Sequence, residues 1–211
     1  MTRILLVDDH AVVRDGIKKM FDDRAGTVEF GEADQPETAL RLVEEQDWDV
    51  VILDLSLGYR SGLELLKDLK KAKPRLPILI LSMHSEEQYA RRAFKAGASG
   101  YATKDCSRAE LVGAIDKVTG GNRYVSSALA EKLVFDLERG SDAPFHETLS
   151  DREYEVMQWI ASGKTVGEIA EILRLSDKTI STYRARILEK MRMKTNAELT
   201  HYAIQNNLVK L

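Results

Sequence analysis

The 211-residue sequence predicts an α/β domain with a five-stranded, doubly wound parallel sheet, followed by an all-α domain of four helices. Two observations carry this prediction. Short apolar runs alternate with segments of helical spacing five times in residues 1–120, which is typical of a parallel sheet with helices on both faces. From Leu149 onward the strand pattern ends, and only helical spacing remains.

The first domain is predicted to occupy residues 1–120. Its predicted strands are 4–7, 28–30, 50–53, 78–81 and 100–103, and its predicted helices are 12–21, 37–45, 63–71, 86–96 and 109–118. The third strand has the sequence VVIL, and a fully apolar run of this kind suits a strand that is buried on both faces of a parallel sheet. Pro36 favours a helix start, and Gly97 favours a helix end.

Residues 121–147 form a predicted connector with a helix at about 127–138, because Leu129, Leu133 and Leu137 have helical spacing. The Gly, Ser, Asp and Pro residues in 139–148 indicate a loose linker. In the second domain, 148–211, Ser150 and Glu153 form a capping-box pattern at the start of the first helix. The other three helices are predicted at 166–173, 178–191 and 196–205.

The composition is that of an ordinary globular protein, with 44% apolar and 31% charged residues. There is no signal-peptide pattern and no apolar run near the roughly 20 residues that cross a bilayer, so we expect a cytoplasmic protein without membrane contact. The single cysteine, Cys106, excludes an intrachain disulfide. The net charge of −3 argues against nucleic-acid binding by the whole chain, but residues 177–194 hold six basic and two acidic side chains, a local +4.

Polar residues follow four of the predicted strands and should meet at one edge of the sheet. Asp8 and Asp9 follow the first strand, Asp54 the third, Ser82 the fourth and Lys104 the fifth. Three acids at one edge repel each other unless a cation binds or a proton is shared, and oxygen ligands favour Mg²⁺. A carboxylate can also accept a phosphoryl group, whose charge Mg²⁺ and an ammonium would balance. Each residue alone could be a turn former, a cap or a solvated side chain, but five such residues at strand ends favour a phosphoryl-acceptor site.

Residues 1–120 resemble a response-regulator receiver domain of the CheY-like, flavodoxin-like type. The matching segments are Val7-Asp8-Asp9-His10, Leu53-Asp54-Leu55, Leu81-Ser82 and Gly100-Tyr101-Ala102-Thr103-Lys104. The resemblance implies that Asp54 is the phosphoacceptor and that Asp8, Asp9 and the backbone carbonyl of Ser56 hold Mg²⁺ with it. It also implies a switch role for Tyr101 and a sensor histidine kinase as phosphoryl donor. Leu57-Gly58-Tyr59 departs from the usual Pro-Gly turn, so the local loop is expected to differ.

The second domain resembles the LuxR-type helix-turn-helix, and the two together resemble the NarL/FixJ type of transcription regulator. The matching segments are 149–153, 161–164, 168–170, Ser176, Thr179-Ile180, Ile187, Lys190-Met191 and Ala197-Glu198. Departures lie at 165–167, Tyr183 and 195–196. The resemblance implies binding to double-stranded DNA, and we expect phosphorylation to favour a two-fold homodimer, which suits two half-sites on DNA.

The helix at 178–191 has one apolar face and one polar face. At 100° per residue, Ile180, Ile187 and Met191 share a face that should be buried, and Lys178, Thr182 and Ala185 point the opposite way. Small polar side chains flanked by cations suit a DNA major groove, although a solvated helix face has the same pattern. The residues predicted to contact DNA are Lys178, Thr179, Ser181, Thr182, Tyr183, Arg184, Ala185, Arg186 and Lys190.

We therefore predict a transcription regulator whose sequence-specific DNA binding is controlled by phosphorylation of Asp54, and not a turnover enzyme. One alternative is a phosphohydrolase with an aspartyl nucleophile, but Ser56 stands where such enzymes need a second acid. Another is a regulator whose tail binds protein, which the basic run at 178–194 disfavours. His84 lies two residues after Ser82 and is interpreted as an exposed loop residue, with metal binding or an influence on phosphoryl hydrolysis as the alternatives.

Overall fold

The computed structural model describes residues 1–24, 26–57, 60–83, 86–127, 129–131 and 144–209. The chain forms two compact units, Met1–Leu133 and Val134–Leu211. The predicted connector helix is helical at Ser127 and at 129–131, and its remainder lies outside the described residues, as do His84 and residues 139–143. No helix within the described ranges is long and apolar enough to cross a bilayer.

The first unit, which we call the α/β unit, contains a five-stranded parallel sheet and confirms the predicted fold class. The strands in chain order are β1 (Thr2–Val7), β2 (Val28–Ala33), β3 (Val50–Leu53), β4 (Ser56–Leu57), β5 (Arg60–Ser61), β6 (Ile78–Ser82) and β7 (Gly100–Thr103). The sheet order is β2-β1-β3-β6-β7, while β4 and β5 pair as a separate antiparallel hairpin after β3. Gly58 and Tyr59, where the usual Pro-Gly turn is absent, lie outside the described residues.

The helices that flank the sheet in the α/β unit include α1 (Ala11–Lys19), α2 (Pro36–Glu45), α3 (Gly62–Ala72), α4 (Glu86–Lys95) and α5 (Arg108–Thr119). Each begins within two residues of its predicted start. β2 is three residues longer than predicted, because parallel pairing with β1 continues from Thr2↔Val28 to Val7↔Ala33. One side of the sheet packs into a core that includes Ile4, Ile52 and Ile115. Burial of these apolar strands holds the carboxyl edge of the sheet in place.

The second unit, which we call the helical unit, contains four α-helices in its described residues: α6 (Asp151–Ala161), α7 (Val166–Leu173), α8 (Asp177–Lys190) and α9 (Asn196–Gln205). A hydroxyl caps the start of each helix, and α6 packs against both α8 and α9. The predicted inward face of α8 is confirmed, since Ile180, Ile187 and Met191 are buried.

The end of the predicted loose linker has a defined structure. Phe145–Thr148 forms a 3-10 turn, and the Nδ1 atom of His146 lies 2.9 Å from the Tyr202 hydroxyl on α9. The guanidinium of Arg192 lies over the Phe145 ring. The expectation of a loose linker is therefore wrong for these residues, because aromatic contacts with distant parts of the helical unit order them.

Candidate functional site

The sheet brings the predicted site residues of the α/β unit to its carboxyl edge. The register pairs Val7 with Leu53, so Asp8 and Asp54 leave adjacent strands at the same level. The Asp54 amide donates to the Val7 carbonyl at 2.9 Å, and the Lys104 amide donates to the Ser82 carbonyl at 2.9 Å. Main-chain hydrogen bonds therefore continue past the strand ends and hold the backbone of Asp54 and Lys104 in place.

Lys104 links the two buried acids. Its Nζ atom lies 2.7 Å from Oδ2 of Asp8 and 2.7 Å from Oδ2 of Asp54. The two acids are buried and the Lys104 side chain is 10% exposed, so their charges interact more strongly than they would in water. Burial lowers the pKa of Lys104. The hydrogen bonds to Asp54 and Asp8 and the charges of these two acids outweigh burial, so the net effect raises the pKa of Lys104. One cation faces two acids here, which leaves the site with an excess of negative charge.

Asp54 is the most deeply buried acid of the site. Its residue is 2% exposed, and its Oδ1 atom is buried and accepts no hydrogen bond from the described residues. Burial raises the pKa of the Asp54 carboxyl above its ordinary value, against the opposing pull of the Lys104 ammonium. A buried polar atom without a partner is costly, so this oxygen marks a place where a cation or a reacting group fits.

The acids converge with a histidine that the sequence interpretation gave no role. One ligand atom from each of Asp8, Asp9, His10 and Asp54 lies within 4.8 Å of the others. The Nδ1 atom of His10 is 2.8 Å from Oδ1 of Asp9 and 3.3 Å from Oδ1 of Asp8. Such an acidic cluster is typical of divalent-metal binding. His10 directly follows Asp8 and Asp9 in the sequence, and this position was the signal that could have placed it among the predicted site residues.

The remaining predicted residues of this unit lie around the cluster. Ser56 begins β4 and pairs with Ser61, while Ser82 and Tyr101 are fully buried in β6 and β7. Gly62 was not predicted as a site residue, yet its α-carbon lies against the backbone that carries Asp54. A β-carbon there would come within 2.6 Å of the Asp54 carbonyl oxygen. Glycine is therefore required where α3 begins, and it allows the loop after Asp54 to close against the helix.

In the helical unit, α8 exposes most of its predicted DNA-contact residues. The exposed side chains are Lys178, Ser181, Thr182, Ala185, Arg186 and Lys190, and those of Thr179, Tyr183 and Arg184 are partly exposed. Five of them line a shallow groove of about 270 Å³, namely Lys178, Thr179, Thr182, Tyr183 and Arg186. The groove combines two cations with hydroxyl groups, a surface suited to the anionic, hydrogen-bonding edges of nucleic acid.

Two of the predicted contact residues are held within the unit. The Nε atom of Arg184 donates to Oδ1 of Asn196 at 2.7 Å. The Nζ atom of Lys190 donates to Oε2 of the buried Glu153 at 2.6 Å. Arg184 and Lys190 therefore differ from Lys178 and Arg186, because the first two are bonded to side chains of other helices while the last two line the groove.

Acids and a lysine at the carboxyl edge of a five-stranded parallel sheet, in one chain with a capped four-helix unit, define the class of response regulators. Residues 4–116 match the family described as response regulator receiver domain. Residues 147–203 match the family described as bacterial regulatory proteins, luxR family.

Known proteins resemble the whole chain. It is 36% identical to the response regulator UvrY of Escherichia coli strain K12, over 99% of this chain and 96% of UvrY. It is 36% identical to the response regulator GacA of Pseudomonas aeruginosa, over 99% of this chain and 98% of GacA. The structure resembles RcsB of Salmonella enterica serovar Typhimurium bound to promoter rprA in the presence of phosphomimetic BeF3−. The TM-score is 0.57 and the identity is 25%, over 96% of this chain and 98% of RcsB. The chain therefore belongs to the NarL/FixJ family of response regulators, with a receiver domain and a LuxR-type DNA-binding domain.

Proposed function

We propose that phosphorylation of Asp54 controls sequence-specific DNA binding by the helical unit, and that the protein regulates transcription in the cytoplasm of a bacterium. The observation that carries this proposal is the Oδ1 atom of Asp54, which is buried and without a hydrogen-bond partner among the described residues. It lies among acids that favour a divalent cation and beside a lysine that favours an anion. An acceptor of a phosphoryl group needs both neighbours.

The cation that fits the donor set best is Mg²⁺. Asp8, Asp9, Asp54 and the backbone carbonyl of Ser56 would hold it, and all of them offer the hard oxygen ligands that this ion prefers. When bound, Mg²⁺ would supply positive charge to the oxygens of the phosphoryl group. His10, within reach of two of these carboxylates, would compete for them as a hydrogen-bond donor.

The Asp54 carboxylate acts as the nucleophile. Its Oδ1 atom attacks the phosphorus of a phosphohistidine on a sensor histidine kinase, or of a small acyl phosphate. With the phosphohistidine, the new O–P bond forms as the P–N bond breaks, and the imidazole nitrogen leaves with the electron pair and takes up a proton. With an acyl phosphate, the P–O bond to the acyl group breaks instead, and the carboxylate leaves with the electron pair. Lys104 donates to a phosphoryl oxygen from its position 2.7 Å from Oδ2 of Asp54. The Ser82 hydroxyl binds a second oxygen, and buried Tyr101 on the next strand transmits the change.

The DNA-binding surface is the exposed face of α8. Ser181 and Thr182 read bases, and Lys178 and Arg186 hold phosphates at the edges of the groove that these side chains line. The similarity to RcsB bound to a promoter supports this assignment. Two copies of the chain related by a two-fold axis would present two such helices to two half-sites, so we propose a homodimer in the phosphorylated state.

Phosphoryl labelling tests the acceptor. The full chain is incubated with Mg²⁺ and acetyl phosphate, and intact mass and peptide mapping report the gain of one phosphoryl group. We expect labelling of wild type and of Asp47→Ala, an exposed acid at the opposite edge of the sheet, but not of Asp54→Ala. Chelation of Mg²⁺ should abolish the gain. Equal labelling of Asp54→Ala and wild type would refute the acceptor assignment.

A further inference from the structure

The first turn of α6 carries two adjacent charged side chains that are almost completely buried. Arg152 is 6% exposed and Glu153 is 3% exposed. Charged residues are rarely buried to this extent unless they are paired, because removing a charge from water is costly. Besides partners in the first turn of α6, each of these side chains contacts the end of one of the two helices that follow α6 in the chain.

Arg152 reaches the end of α7. Its Nη2 atom donates to the carbonyl of Leu173, the last residue of α7, at 3.2 Å. Its Nη1 atom donates to Oε2 of Glu155 at 2.7 Å, which pairs the guanidinium with a local acid. A cation at the C-terminus of a helix also opposes the negative end of the helix dipole. This contact therefore fixes the end of the helix that precedes the turn into α8.

Glu153 reaches the end of α8. Its Oε2 atom accepts from the backbone amide of Ser150 at 2.7 Å and from Nζ of Lys190, the last residue of α8, at 2.6 Å. Burial opposes ionisation of this carboxyl, but the ammonium and the two Ser150 donors outweigh it and lower the pKa of Glu153. The carboxylate thus stays charged and joins the start of α6 to the end of α8.

Capping alone does not require this burial. The described residues include two further capping boxes, in which Glu110 caps α5 and Glu168 caps α7. Both of these glutamates are exposed, and the ion pair of Glu168 is with Lys164, four residues earlier. Glu153 differs in that its carboxylate faces inward and pairs with a residue 37 positions away.

We propose that Arg152 and Glu153 are positioning residues that set the orientation of α8 relative to α7, and that Lys190 acts through Glu153 and not through a DNA phosphate. This inference rests on the proposed DNA binding and identifies what holds its reading helix in place. A glutamate cannot contact phosphate, so its removal makes the surface more positive and would strengthen binding by charge alone. Positioning predicts the opposite sign, because a displaced α8 loses base contacts.

The test uses full chains and two fluorescent DNA duplexes of equal length. One duplex is selected by the wild-type chain from a random-sequence library, and the other has the same bases in scrambled order. Affinities are measured across a salt series for wild type, Glu153→Gln, Lys190→Gln, the double variant and Glu168→Gln. Circular dichroism confirms that each variant is folded.

We expect Glu153→Gln and Lys190→Gln each to bind the selected duplex about tenfold more weakly, with the double variant no worse than either, since they break one interaction. Neither variant should show this tenfold loss on the scrambled duplex, and the salt slope should stay as in wild type. Glu168→Gln, the exposed capping control, should lose no affinity. Lys190→Arg keeps the ion pair and should bind as wild type does.

Two results would overturn the inference. A salt slope lowered by about 0.9 in Lys190→Gln, with equal loss on both duplexes, would make Lys190 a phosphate contact. If Glu153→Gln bound the selected duplex as tightly as wild type or more tightly, Glu153 would not position α8 and would affect DNA binding only through its charge. If Glu153→Gln does not fold, the Lys190→Gln comparison decides, because Lys190 is partly exposed. Failure of the wild-type chain to select any duplex would instead refute the proposed function on which the inference rests.

Discussion

Replacement of Lys104 with methionine tests the electrostatics of the acid cluster. The ammonium lies 2.7 Å from carboxylate oxygens of both Asp8 and Asp54. At this separation and an effective dielectric of about 20, each pair attracts by about 6 kcal/mol, or about 12 kcal/mol together, against a desolvation cost of several kcal/mol for each buried ion. The substitution also leaves two buried acids facing each other. We therefore expect the free energy of unfolding of the α/β unit to fall by about 2–4 kcal/mol without metal.

Saturating Mg²⁺ should narrow this difference. A ligand that binds only the native state stabilises it, and a site with one cation fewer should bind Mg²⁺ more tightly. The two units can unfold separately, so the assay needs a reporter for one of them. In a Trp159→Phe background, Trp48 is the only tryptophan and reports unfolding of the α/β unit in urea. Lys73→Met removes an exposed pair with Asp47 and should change stability little.

Two outcomes would refute this reasoning. If Lys104→Met lost no more stability than Lys73→Met, the buried pairs would contribute little. If Mg²⁺ stabilised wild type and Lys104→Met equally, the ammonium and the metal would not share the same negative charge.

Three further predictions follow from single contacts. Gly62→Ala should cost about 1–3 kcal/mol and weaken Mg²⁺ binding, because its β-carbon meets the Asp54 backbone, whereas Gly113→Ala in open space on α5 should cost nothing in the same urea assay. Asp54→Asn should stabilise the metal-free α/β unit, because burial raises the pKa of Asp54 and so disfavours its charged form in the folded state. In urea melts this gain in stability should appear as the pH rises above 3.8, the ordinary pKa of the group, and vanish below it. The lowered pKa of Glu153 stabilises the helical unit above pH 4.5, so thermal melts of wild type and Glu153→Gln should converge as the pH falls below that value, and a constant gap would contradict the ion pair.

The periodicity of the sequence was sufficient to predict the sheet and most helices, because apolar strands and helical faces are local patterns. The inward face of α8 was predicted for the same reason, and Ile180 and Ile187 are buried. The extension of β2 through Gly31 to Ala33 was not predicted, since it depends on main-chain pairing with β1 and not on an apolar pattern.

Long-range partners account for what the sequence did not reveal. The linker end at 145–148 is ordered by Tyr202 and Arg192, which lie far along the chain. Lys190 fits a DNA-facing pattern on a helical wheel, but its partner Glu153 lies on another helix. The closeness of His10 to the acids follows from the turn after β1, which a strand pattern does not describe.

The most direct test of the central claim is the affinity of the full chain for its selected duplex before and after phosphorylation. Wild type and Asp54→Asn are each titrated with and without Mg²⁺ and acetyl phosphate, and the phosphorylated fraction is measured by intact mass in the same samples. We expect phosphorylation to tighten binding of wild type and to leave the affinity of Asp54→Asn unchanged. Unchanged affinity of a wild-type sample that carries the phosphoryl group on Asp54, or an equal gain by Asp54→Asn, would contradict it.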